Sequence, residues 1–294
     1  MLTRPPQCMN RAHLTEPYGL PDWRQPSIDD SEEIARYSSL AVSRGIRVAV
    51  GSLSSSATSH GERSDVMRNY LTEFIGTFFL VLTIGLTVLG GTPLAPLAIG
   101  ASLMVMVYMG GHISGGHYNP AVSLAVLLRG KMSSGGEFAG YVVSQCAGAL
   151  VAALVVFFIT GRTFAPAPAA TASVAAAFLV ELLYTFALAL VVLNSAASAK
   201  THGNSFYGLA IGFTIVVAAF SGGPISGGAF NPAVGVGPIL VNALLGGGSM
   251  ANLWLYIVAP LAGGALASAV FGMQEREPVN LHAEPARTPE SRPA

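Results

Sequence analysis

The sequence SGGHYNPAV, at residues 114–122, recurs almost unchanged as SGGAFNPAV at residues 226–234. In each copy an Asn-Pro pair begins an apolar run that is too short to cross a bilayer. Asn is a favoured N-cap and Pro is favoured at the first helical position, so each copy predicts the start of a helix. One copy in a soluble protein would indicate only an ordinary helix start. Two copies in matching halves of a membrane protein favour two half-helices that meet at the middle of the bilayer.

Composition supports a membrane protein. Of the 294 residues, 52% are hydrophobic and 10% are charged, whereas soluble domains carry about 25% charged residues. The charges lie mainly near the two ends, and between them stretches of about 20 apolar residues recur, which is the length of a bilayer-spanning helix. The formal net charge of zero offers no basic surface for nucleic acid, and the two cysteines form neither a disulfide framework nor a metal site. No cofactor is expected.

The apolar pattern predicts an all-α membrane protein with six transmembrane helices and two re-entrant half-helices in an inverted repeat. The predicted spans are 70–91, 94–112, 137–160, 173–194, 205–222 and 251–272, and the predicted half-helices are 119–128 and 231–243. A channel domain should therefore occupy residues 67–273, with one repeat over about 70–160 and the other over about 173–272. Three spans in each repeat is an odd number, so the copies insert with opposite orientations.

The two ends of the chain differ from the channel domain. Residues 1–66 are rich in Pro, Ser, Arg and Asp and predict a disordered extension, and 274–294 predict a disordered tail. No signal-peptide pattern precedes the first span, and Met67 is a hypothetical alternative start of translation. Basic residues concentrate in the connections on one side of the six spans. The positive-inside rule therefore places both termini in the cytoplasm, in a multi-pass protein of the plasma or inner membrane.

Asn119 and Asn231 are the first candidates for function. If both half-helices point their N-termini at the membrane centre, each contributes an effective charge of about +0.5 from its unpaired N–H groups. The two side-chain amides would present donors to a shared lumen, orienting a water molecule and repelling cations. That arrangement is a pore.

These motifs identify the chain as resembling the aquaporin (major intrinsic protein) family. The phrase at residues 111–122, GHISGGHYNPAV, is close to the first signature of that family, and the resemblance covers about residues 69–273. It implies a homotetramer in the lipid bilayer with one pore in each subunit. It also implies that the pore motifs are formed by Asn119, Pro120, Ala121, Asn231, Pro232 and Ala233.

Glu73 and Glu181 occupy matching positions, because each begins the pattern Glu-x-x-x-Thr-Phe in the first span of its repeat. A charge at the bilayer centre costs about 2.5–3.5 kcal/mol on insertion scales, so each needs a partner or a function. One alternative is a proton relay. The other is that each carboxylate braces a re-entrant loop by accepting its free N–H groups, which the symmetric placement and the family pattern favour.

The resemblance also assigns the walls of the pore. His117 corresponds to a histidine that lines the cytoplasmic half, although a loop histidine bonded only to backbone is an alternative. The family's selectivity constriction is built from four positions. One lies three residues after the second Asn and is Val234 here, and along the matching segments the other three fall on Ile99, Ala219 and Gly228. The family's arginine is replaced by Val234, so the constriction is expected to be uncharged, apolar and wide.

The sequence therefore predicts a passive channel for water and small uncharged solutes such as glycerol or urea, and not an enzyme. The alternative is a coupled secondary transporter of a small neutral solute, for which Glu73 and Glu181 would be the only intramembrane carboxylates. A membrane enzyme is disfavoured because the spans contain no recognisable nucleophile or metal-site motif. A closed channel with a structural role stays open at this stage.

Overall fold

The computed structural model describes residues 54–275, and the predictions for 1–53 and 276–294 lie outside the described residues. In this part of the chain all regular secondary structure is helical. The helices are α1 Ser54–Leu89, α2 Ala95–Ser114, α3 Pro120–Leu128, α4 Gly135–Thr160, α5 Val174–Val192, α6 Tyr207–Ser221, α7 Gly223–Ser226, α8 Pro232–Leu245 and α9 Leu253–Gln274. Helix α5 continues as a π-helical turn, Leu193–Ala197, and a 3₁₀ turn follows at Ala199–Thr201.

Five helical segments are long and apolar enough to cross a membrane: Asp65–Leu89, Ala95–Ser114, Gly135–Thr160, Val174–Ala197 and Leu253–Gln274. They match five of the six predicted spans. The predicted span at 205–222 differs, because α6 has only 15 residues. It stops at Ser221, and Gly222 separates it from the single turn of α7, whose second residue is Pro224. Proline cannot donate a helical hydrogen bond, which explains this break.

The start of the first helix also differs from the sequence pattern. Helix α1 begins at Ser54, before the predicted start of the channel domain at residue 67. Its apolar, membrane-length portion begins at Asp65.

The short helices α3 and α8 follow the two Asn-Pro pairs and lie mostly buried among the longer helices. They have 9 and 14 residues. At about 1.5 Å rise per residue, they are much shorter than a full span of about 20 residues. Helices of this length can lie inside a bilayer only when surrounding protein or water satisfies their ends.

The two halves interlock through these short helices. Helix α9 of the second half packs against α3 of the first half, and α4 packs against α8 in the mirrored way. Glycine permits the closest approach at both contacts: a Cβ on Gly264 would lie 2.3 Å from the carbonyl oxygen of Ala121, and one on Gly237 would lie 2.5 Å from the carbonyl carbon of Ala149. No side chain fits at either point, so each short helix is held in place by backbone contact.

This packing predicts that Gly264→Ala destabilises the protein. The new methyl group meets a backbone oxygen that cannot move independently, so we expect a loss of about 1–3 kcal/mol. Gly135→Ala is the matched control, because Gly135 is also helical but has no atom within 4 Å of its Cβ position. Removing that helical glycine is expected to leave stability unchanged or raise it by up to about 1 kcal/mol. Thermal unfolding in detergent measures both variants, and equal midpoints would contradict the prediction.

Candidate functional site: a central cavity between two half-helices

Each half-helix begins at an asparagine cap. Asn119 and Asn231 have extended backbones, with φ of −157° and −162°. Their side-chain Oδ1 atoms accept hydrogen bonds from the backbone N–H groups of Ala121 and Ala233, at 2.8 and 2.9 Å. The prolines after them occupy the first helical positions, where no N–H group is needed. The sequence motif thus produces two capped helix starts.

The same asparagine amides connect the two re-entrant loops to each other. Nδ2 of Asn119 donates to the carbonyl oxygen of Phe230 at 2.9 Å. Nδ2 of Asn231 donates to the carbonyl oxygen of Tyr118 at 2.8 Å. Because an amide nitrogen carries two N–H groups, one N–H on each asparagine is left for the cavity that both residues line. The sequence prediction had both amides facing the lumen and did not include these reciprocal bonds.

The two carbonyl groups reach the opposite asparagines because Tyr118 and Phe230 adopt left-handed backbone conformations. Their φ angles are +48° and +50°, and no other described residue except glycine has a positive φ. This conformation costs a non-glycine residue roughly 1–2 kcal/mol, so its environment must hold it. The side chains of both residues are fully buried.

Glu73 holds the first loop. Its Oε1 accepts hydrogen bonds from Ser114 Oγ at 2.7 Å and from the N–H of His117 at 3.0 Å. Its Oε2 accepts from the N–H of Tyr118 at 2.7 Å and from Gln145 Nε2 at 2.8 Å. The carboxylate is completely buried, and its four bonds all lead to the loop or to the helix beside it.

Glu181 holds the second loop in the same way. Its Oε1 accepts from Ser226 Oγ at 2.8 Å and from the N–H of Ala229 at 2.9 Å. Its Oε2 accepts from the N–H of Phe230 at 2.5 Å. This carboxylate is also completely buried. The bonds made by Glu73 and Glu181 have the geometry expected if each carboxylate braces a re-entrant loop. Neither carboxylate lines the central cavity.

Two tyrosines complete the symmetry. The hydroxyl of Tyr141 donates to the carbonyl oxygen of Ser114 at 2.7 Å, and the hydroxyl of Tyr256 donates to that of Ser226. Each tyrosine thereby satisfies a carbonyl at the end of the helix that leads into the re-entrant loop. Neither bond was predicted from the sequence, although each tyrosine lies near the start of the third span of its repeat.

The central cavity has mostly apolar walls. Both asparagines, His117 and all four predicted constriction residues lie on it. The complete lining is Leu80, Ile84, Ile99, Leu103, His117, Tyr118, Asn119, Val122, Leu188, Val192, Ile211, Ile215, Ala219, Gly228, Ala229, Phe230, Asn231 and Val234. None of these side chains carries a fixed charge. The predicted motif residues Pro120, Ala121, Pro232 and Ala233 are buried helix starts that do not line it.

A second cavity adjoins the first at His117 and is called here the vestibule. Its polar lining includes Asn69, Ser114, Lys131, Glu137 and Tyr141. His117 lies on the walls of both cavities, so it stands where the polar vestibule gives way to the apolar cavity. Among the described residues no cluster of three or more His, Cys, Asp or Glu side chains could hold a metal ion.

The geometry defines a class of protein. Two capped half-helices meet end to end inside a bundle of apolar helices and border a cavity that carries hydrogen-bond donors but no fixed charge. This is the arrangement of an integral, multi-pass membrane channel with internal repeats.

Comparison with known proteins identifies the family. The model of the Major intrinsic protein family matches residues 60–271. The chain is 37% identical to "Glycerol uptake facilitator protein-like 6" of Lactiplantibacillus plantarum over 69% of its own length and 95% of the relative. It is 34% identical to "Aquaporin Z" of Bradyrhizobium diazoefficiens over 73% and 96%, respectively. The chain belongs to the major intrinsic protein family, which confirms the family expected from the motifs.

A solved structure confirms the predicted fold class. The aquaglyceroporin from Plasmodium falciparum superimposes with a TM-score of 0.63, covering 70% of this chain and 95% of that structure at 24% identity. The all-α, aquaporin-like membrane fold follows from this match.

The bracing contacts predict that Glu181→Gln destabilises the second loop. A glutamine can offer one oxygen to Ser226 and Ala229, but its amide N–H groups then face the N–H of Phe230. An unsatisfied buried donor costs about 1–3 kcal/mol, and we expect that loss in the free energy of unfolding. Glu137→Gln is the control, because Glu137 is only half-buried and, among the described residues, its carboxylate accepts bonds only from Ser133. Its effect should stay within about 0.5 kcal/mol. Unchanged thermal unfolding of Glu181→Gln would argue against bracing.

Proposed function

We propose that this protein is a passive channel for water and small uncharged solutes such as glycerol, and not an enzyme. The observation that carries the proposal is the central cavity, in which two asparagine amides face uncharged, apolar walls. The relatives named above include a glycerol uptake facilitator-like protein and an aquaporin, which supports both kinds of permeant.

The two asparagines act on the permeant at the centre. Each has one N–H committed to the opposite loop and one directed to the cavity, so a passing oxygen accepts a hydrogen bond from either side. The half-helices add an effective charge of about +0.5 at each N-terminus. A neutral molecule with an oxygen acceptor is stabilised there, whereas a cation meets an electrostatic barrier.

The constriction formed by Ile99, Ala219, Gly228 and Val234 sets the size limit. These residues supply two branched aliphatic side chains, one methyl group and one bare backbone position. The wall can admit solutes larger than water, and its side chains offer no donor or acceptor to replace the hydration shell of an ion. Stripping that shell against apolar walls is expensive, so ions are excluded without a fixed positive charge.

The protein works in this proposal as a homotetramer in the plasma or inner membrane, with both termini in the cytoplasm. Large apolar side chains on the outer surface support a lipid or subunit environment. Phe158 is 86% exposed and Leu244 is 79% exposed in the single chain. The connection after α3 carries Arg129 and Lys131, which the positive-inside rule assigns to the cytoplasmic side.

The size limit is tested by Val234→Arg in full-length protein reconstituted into liposomes. Stopped-flow light scattering should show wild-type water and glycerol permeabilities above those of empty liposomes. The arginine narrows the constriction, so we expect glycerol permeability to fall about tenfold more than water permeability, which corresponds to about 1.4 kcal/mol in the barrier.

Val234→Met separates charge from size, because methionine is long but neutral. A proportionate loss of glycerol permeability in both variants would assign the effect to size alone. Wild-type glycerol rates equal to those of empty liposomes would refute the wide constriction. Transport that saturates and requires a second ion gradient would instead support a coupled transporter.

A further inference from the structure

The two halves of the repeat differ at one buried polar cluster. In the first half, Gln145 Nε2 donates both to Glu73 Oε2 at 2.8 Å and to Ser123 Oγ at 3.0 Å. Ser123 Oγ also lies 3.0 Å from Nδ1 of the His117 ring. The equivalent residues in the second half, counted from the matching Asn and Tyr, are Pro260, Gly235 and Ala229. None of these three side chains can hydrogen bond, so the bracing of a loop by its carboxylate does not require the cluster.

Proton counting fixes the direction of each bond. Glu73 is saturated with donors, so both N–H groups of Gln145 are donated, one to the carboxylate and one to Ser123. Ser123 is completely buried, and the imidazole of His117 is the only acceptor within reach of its hydroxyl hydrogen among the described residues. If Nδ1 of His117 carried the proton, it would donate to Ser123, and a buried hydroxyl hydrogen would be left without a partner. That loss costs about 1–3 kcal/mol.

The other edge of the imidazole lies beside Gly115, at a residue that lines the vestibule. Nε2 makes no hydrogen bond to any described residue, and it lies 3.0 Å from the Cβ position of Gly115, a residue of the vestibule wall. The ring packs against Tyr141, with 5.2 Å between the ring centroids and an angle of 54° between the planes. This contact and the bond to Ser123 hold the ring in one orientation.

We propose that Ser123 and Gln145 are positioning residues that fix His117 as the neutral tautomer with its proton on Nε2. A chain of donors runs from Gln145 to Ser123 and from Ser123 to Nδ1, which leaves Nε2–H as a donor facing the vestibule. A permeant oxygen then meets a histidine donor before it meets the donors of Asn119 and Asn231. The tautomer follows from the local bonds, whereas its role toward a permeant rests on the proposed channel function.

The test is ¹⁵N and ¹³C solid-state NMR of full-length, histidine-labelled protein in liposomes at neutral pH. The His117 signals are assigned by their loss in His117→Gln. The expected wild-type pattern is a single neutral tautomer protonated at Nε2. Ser123→Ala removes the only donor to Nδ1, so we expect loss of this single pattern. Ser123→Thr keeps a hydroxyl group and should restore it.

Thr185→Val is the matched control, because Thr185 carries a fully buried hydroxyl in the other half whose Oγ1 has no hydrogen-bond partner among the described residues. It should leave the His117 pattern unchanged. A wild-type ring protonated at Nδ1, or a Ser123→Ala spectrum equal to that of the wild type, would overturn the proposal. Stopped-flow measurements on the same liposomes are a separate arm. Liposomes that conduct neither water nor glycerol would refute the channel function, while the spectrum would still decide the tautomer.

Discussion

The structure depends on two reciprocal hydrogen bonds, in which each cap asparagine donates to the carbonyl that precedes the other. A loop that enters a membrane and turns back exposes N–H and C=O groups at a depth where lipid offers them no partner. Here each loop is the partner of the other. The bonds require Tyr118 and Phe230 to stay in a left-handed conformation, and the carboxylates that accept their N–H groups keep them there. Disturbing any one of these contacts leaves several buried polar groups unsatisfied together.

Two acidic residues lie close to the central cavity, yet the side chains that line the cavity carry no fixed charge. Glu73 and Glu181 are completely buried and point into the loops, away from the cavity. Their negative charge stabilises N–H groups that would otherwise be unpaired, and it costs less there than it would unpaired in an apolar region. The groups that face the cavity carry positive partial charge instead, because they are the asparagine N–H donors and the N-termini of the half-helices. Because the negative charges lie away from the cavity and the asparagine donors line it, the arrangement favours neutral permeants.

The features that could be predicted from the sequence are those determined by residues adjacent in the chain. An Asn-Pro pair specifies a cap and a helix start by itself, so the half-helices and their order along the chain could be predicted directly. The positions of Ile99, Ala219, Gly228 and Val234 came from the family pattern, and the structure places all four on one cavity. The roles of Gln145 and Ser123 could not be read, because each depends on helices distant in sequence meeting at one point. The span predicted at 205–222 is found as the 15-residue helix α6, Tyr207–Ser221, and what the sequence pattern did not predict is the separate turn of α7 at Gly223–Ser226.

The inverted repeat gives the two ends of the cavity the same backbone and different side chains. At the end of the first loop, His117, Ser123 and Gln145 form a polar cluster that leads into a vestibule lined by charged and polar groups. At the end of the second loop the equivalent positions are Ala229, Gly235 and Pro260, and the adjoining wall is Val234 and Gly228. In the proposed channel, a solute exchanges hydrogen bonds at one end and is selected by size and by the cost of dehydration at the other. Because the half-helix scaffold is common to both ends, side-chain changes at the second end can alter the size limit without disturbing the contacts that hold the first.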